Sequence, residues 1–162
     1  MYMLPTSNYI QRNLQANHSR VQEQMQIDPK THQARVLQEL KNLGVSRSGL
    51  SSMESRYLPS IIHADEQLCG VVYGHHQAGF AMLVATDRRI VFLDKKPLFV
   101  DQDDIAYGVV AGVSYGHAGL GSTVTLHTRI KDYAIQTFNK KSAEGFVRYM
   151  EQRIEYSFRG IA

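Results

Sequence analysis

His75 and His76 stand side by side, and four cations, Arg88, Arg89, Lys95 and Lys96, bracket the apolar run 90–93. Two imidazoles can ligate a metal or titrate near neutral pH, and guanidinium and ammonium groups can grip phosphate or carboxylate. Neighbours on a strand point to opposite faces, so His75 and His76 cannot both reach one ion without a turn between them. No further His or Cys stands at ligand spacing nearby, and no metal role is expected. The six residues are read instead as candidate contacts for an anion or a protein partner. Asp87 and Asp94, beside the cations, are ready neutralisers.

The remaining reactive groups read as structural. Arg129, Lys131, Lys140 and Lys141 border later elements, where two lysines in the first turn of a helix oppose its dipole by only a few tenths of a kcal/mol. The glycine-rich run 116–121 lies between two strands, without the following helix and the Gly-Lys-Ser/Thr ending of a phosphate loop, so it reads as a hairpin turn. Cys69 sits in an apolar run with nothing adjacent to lower its pKa. No Ser, His and acid set has a diagnostic context. No catalytic, cofactor-binding or metal-ligating residue is assigned.

Charge narrows the partners. Residues 1–57 carry 7 Lys and Arg against 4 Asp and Glu, whereas residues 58–162 carry 11 of each. The net charge of +3 therefore belongs to the N-terminal part, and long-range attraction of the rest to nucleic acid or an anionic membrane surface is weak. One cysteine allows no internal disulfide, and the first residues, Met1 to Pro5, have neither a basic nor an apolar export region. A cytoplasmic protein is expected.

The elements that must position these groups divide near residue 57. The Gln- and Asn-rich stretch 9–27 carries a sparse stripe, Ile10, Leu14, Val21 and Met25, and reads as a frayed or disordered arm or as a helix that docks on a partner or on another copy. Asp28 as cap, Pro29 at the first helical position and Gly44 as stop predict a helix between them, with Val36, Leu37, Leu40 and Leu43 as its apolar face. A shorter helix is expected over 48–57, ended by Pro59. Strands are expected near 67–75, 80–86, 90–94, 98–101, 109–115, 123–128 and 133–138. The runs 80–85 and 90–93 are apolar almost throughout, so both faces of those strands should be covered. A helix over 140–156, capped by Asn139 or Ser142, carries Ala143, Phe146, Val147, Met150 and Ile154 on one face and should close the domain.

Seven short strands followed by one amphipathic helix resemble the pleckstrin-homology (PH) element order. The segments 58–62 with Asp65 and Glu66, 83–92 with its Thr-Asp-Arg-Arg turn, and 124–128 are similar to the YokE-type bacterial PH-domain family, over residues 58–153. The resemblance implies a mostly β, α+β fold: a seven-stranded bent barrel capped by a C-terminal helix, as a 58–162 domain after a 1–57 N-terminal helical arm. It implies a non-catalytic module that binds a protein partner or another copy of itself. Phosphoinositide binding is disfavoured, because the loop 74–79 that would carry the cations is Gly-His-His-Gln-Ala-Gly. A peripheral contact with anionic lipid headgroups or nucleic acid through the Arg88, Arg89, Lys95 and Lys96 rim is the alternative, and a small-molecule enzyme the third.

Overall fold

The computed structural model describes residues 28–160, so the expectation for the first 27 residues lies outside the described part. Helix α1 (Pro29–Asn42) starts where Asp28 accepts from the Lys30 amide at 3.3 Å and ends before Gly44, whose φ of +96° suits glycine. The single helix expected over 48–57 is two: α2 (Arg47–Leu50) and α3 (Met53–Tyr57). The break follows from serine chemistry, since Ser46 caps the first through the Gly49 amide and Ser52 caps the second through the Ser55 amide. A short 3-10 turn, Leu58–Ser60, carries Pro59.

Seven antiparallel strands follow: β1 (Leu68–His76), β2 (Gly79–Thr86), β3 (Ile90–Lys95), β4 (Val100–Ile105), β5 (Val110–Ala118), β6 (Gly121–Thr128) and β7 (Asp132–Thr137). They form one sheet in the order β4-β3-β2-β1-β7-β6-β5, and α4 (Lys140–Arg159) ends the described chain. The fourth strand lies further along than the expected 98–101. Leu98 is 97% exposed in the turn, and the acidic stretch after it is the strand. Charge tolerates that position because an edge strand faces water. The sheet curls strongly. Tyr133 of β7 donates to Asp103 of β4 at 2.8 Å, and its ring lies 5.2 Å from Phe92 of β3, although β7 and β4 are four places apart in the order.

The curled sheet has two cores. Its concave side packs Leu83, Ala85, Ile90, Phe92, Leu126 and Ile135 against Ala143, Phe146 and Met150 of α4. Its other side packs Met82, Val84, Val91 and Leu93 beneath Val36 and Leu40 of α1 and Leu58. The expectation that β2 and β3 are covered on both faces holds. Asn139 caps α4 by accepting from the Ser142 amide at 3.2 Å, and the Ser142 hydroxyl donates to the Val71 carbonyl. The seam between β1 and β7 needs Gly74, where a Cβ would lie 2.1 Å from the Gln136 carbonyl oxygen. Among the described residues, no helix is long and apolar enough to cross a membrane.

Candidate interaction surface

The six residues singled out by type lie at two places. Arg88 and Arg89 occupy the turn before β3, whereas Lys95 and Lys96 end it, about 20 Å away at ~3.3 Å per residue. His75 and His76 lie at the β1–β2 hairpin, on the lysine side, where the Lys96 ammonium donates to the Phe80 carbonyl at 3.2 Å. The structure therefore does not bring the four cations together as one rim.

Each cation already has work within the fold. Arg88 pairs with Asp65. Lys96 lies 2.6 Å from Asp94, and Lys95 donates to the Lys96 carbonyl at 2.7 Å. Arg89 is the most committed. It donates to Glu66 at 3.0 Å, Asp104 at 2.6 Å and the Ile61 carbonyl at 2.7 Å. Glu66 is fully buried and also accepts from the Thr86 hydroxyl at 2.8 Å and the His63 amide at 3.0 Å. Burial pushes its carboxyl up, but Arg89 and these donors outweigh burial and hold it at about 2. His76 bonds the Ala134 carbonyl at 2.9 Å, and the His75 ring packs tilted against Phe80, with centroids 4.2 Å apart.

One polar set outside this list has the connectivity of a nucleophile and its base. Ser114 Oγ lies 2.8 Å from His127 Nε2, and His127 Nδ1 lies 3.0 Å from Asp132 Oδ2. The three residues sit on successive strands of an open sheet face, with His127 40% and Asp132 57% exposed. A nucleophile elbow would set the hydroxyl at a sharp turn beside converging backbone donors, whereas Ser114 stands mid-strand. This set ties β5, β6 and β7 together.

The strand that carries Ser114 matches the one expected near 109–115, but its place at the edge of the sheet was not legible in the sequence. β5 is nine residues long, Val-Ala-Gly-Val-Ser-Tyr-Gly-His-Ala, with no Lys, Arg, Asp, Glu or Pro. Among the described residues no strand pairs with its outer side. The β5–β6 hairpin closes between Ala118 and Gly121 over a two-residue turn, with Gly119 at φ +60°. Residues flanking such a turn form a hydrogen-bonded pair, and pairing then alternates along the ladder. Gly116, Ser114 and Gly112 accordingly spend their N–H and C=O on β6, and His117, Tyr115 and Val113 direct theirs outward. A bulge between Val110 and Gly112 ends the regular ladder. Exposed edges usually carry charge or proline, and β5 carries neither.

Beyond the bulge is a corner pocket of about 130 Å³ between the start of β5 and the last turns of α4. Arg129 and Arg153 line it with Tyr107, Val110, Ile154 and Phe158. The Arg153 guanidinium lies 4.4 Å over the Tyr107 ring and donates to the Asp87 carbonyl at 3.1 Å. Among the described residues, neither arginine is ion-paired with a carboxylate.

A curled seven-stranded sheet closed by a C-terminal helix is the frame on which these features sit, and the model of the bacterial PH domain family matches residues 62–152, more than half of the chain. The chain belongs to the bacterial PH domain family. Among solved structures, this bacterial PH domain is similar to the crystal structure of a DUF1696-family protein with a pleckstrin-homology domain from Shewanella loihica. That match has 17% identity and a TM-score of 0.37, and covers 63% of this chain and 90% of that one. No curated protein matches the chain.

Proposed function

We propose that this bacterial PH domain is a non-catalytic cytoplasmic binding module, of the YokE type, that takes up an extended protein segment as an added strand on the outer edge of β5. The observation that carries the reading is that edge itself, nine residues without charge or proline and with three consecutive outward backbone pairs. Strand addition uses backbone donors and acceptors for affinity, and so needs no side-chain motif. Binding of lipid headgroups or nucleic acid through the β3 cations has less support, because carboxylates engage three of the four and the strand separates them into two pairs.

The test is a selection of random displayed peptides on the full chain. Bound peptides should slow amide exchange at Val113, Tyr115 and His117. The substitution His117→Pro should weaken them about tenfold, since it removes an outward N–H without breaking a β6 bond. Selected peptides that leave those amides unprotected, or bind the proline variant equally well, would overturn the reading.

A further inference from the structure

The strand edge specifies backbone pairing, and the corner pocket beside it specifies something more. Resting on the strand-addition reading, we infer that the added segment carries an acidic side chain just C-terminal to its paired residues, and that Arg129 and Arg153 receive its carboxylate.

The direction comes from the sheet. All its pairs are antiparallel, and an antiparallel segment on β5 would run from the Ala118 end towards the Val110 end. Its C-terminal side then arrives at the pocket, because Val110 is both the first residue of β5 and part of the pocket wall. The chemistry comes from the wall. Two guanidinium groups without a carboxylate partner among the described residues stand beside Tyr107, Val110, Ile154 and Phe158. Arg presents a planar fork that fits a carboxylate bidentately, and apolar walls lower the local dielectric, which strengthens that pair. The Tyr107 ring and the Asp87 carbonyl hold the Arg153 guanidinium in place, so little side-chain freedom remains to be lost on binding.

The same charge argument separates a foreign segment from a second copy. Two copies joined antiparallel through their β5 edges would bring the Gly119–Leu120 turn of one to the arginine corner of the other. Neither β5 nor that turn contains an acidic residue, so both arginines would stay unmatched. An acidic segment of another protein fits the corner, and the second copy does not.

The inference is tested with two fluorescein-labelled, C-terminally amidated peptides of alternating Thr and Val, one ending in Leu-Glu and the other in Leu-Gln. Fluorescence polarisation with the full chain should show the Glu probe binding about tenfold tighter than the Gln probe, with the difference shrinking as salt rises. Arg129→Gln combined with Arg153→Gln should erase the difference between the two probes. Arg129→Gln alone, at an exposed position, should erase part of it and guards against a fold defect from losing the Arg153 stack. Equal binding of the two probes, or an advantage for Glu that survives both substitutions, overturns the inference and leaves strand addition standing. Failure of both probes to bind also overturns it. Binding of both probes that ignores His117→Pro overturns strand addition itself.

Discussion

β4 and β5 are the two edges of one sheet, and they are finished in opposite ways. β4 carries Asp101, Asp103 and Asp104 among its six residues. Arg89 holds Asp104 at 2.6 Å, and Lys131 and the Tyr133 hydroxyl hold Asp103 at 2.7 and 2.8 Å. An incoming strand there would have to displace charges already tied down. β5 has no charge, and its ties run inward through Ser114 to His127 and through Val113 and Tyr115 to the core. A family of folds that must stay soluble has to blunt its edges. One edge is plain while the other is guarded, and the strand-addition proposal rests on that contrast.

The contrast can be broken most severely from the α4 side, since that helix backs β5 and leaves β4 to the network around Glu66. Truncation at Lys141 removes Phe146, Val147 and Met150, each worth about 1.5 to 3 kcal/mol when buried. The expected outcome is loss of the cooperative thermal transition in calorimetry; a sharp transition near the full-length Tm would contradict it.

Next in size is the tie that seats β4. Glu66→Ala leaves Arg89 without its buried partner and should lower stability by about 3–5 kcal/mol in urea unfolding. A cost under about 1 kcal/mol would mean that Asp104 alone suffices. The same carboxylate makes the tie sensitive to acid. Its folded value of about 2 lies below its ordinary 4.5, so the stability it adds is complete above that ordinary value and is lost as pH falls towards 2. Roughly 3 kcal/mol should disappear across that window. Glu66→Gln should start less stable and lose much less on acidification, and parallel curves for the two proteins would rule the assignment out.

The smallest change turns the guarded edge towards the plain one. Asp103→Asn with Asp104→Asn should cost about 1 kcal/mol, because each pair removed has one partner about half exposed to water. Its clearer readout is light scattering, where concentration-dependent association should rise above that of the parent. A variant that associates no more than the parent would show that charge is not what guards β4.

Much of this frame is legible one residue at a time. Asp28, Pro29 and Gly44 bound α1, Asn139 starts α4, and the apolar runs of β2 and β3 announce two covered faces. Each depends on a local rule: a cap within a turn, a period of two or of 3.6, a side chain's affinity for water. The reading falters where the rule is not local. Sequence pattern puts the fourth strand early, because Leu98 and Phe99 look more strand-like than the aspartates that follow. Those aspartates can form a strand because the sheet ends there, and nothing local to β5 marks it as the other edge. Glu66 drew no attention as a site, since one glutamate before a strand looks like any other.

The sequence by itself determined the seven strands, the two long helices and the balance of charge between the two parts of the chain, because these follow from neighbours in the chain. Only the tertiary structure decided which strands are edges, that Arg89 is spent on Glu66, 23 residues away, and that Arg129 and Arg153 meet at the end of β5. Pairing and curvature bring distant residues together, and an electrostatic partner is defined by distance in space.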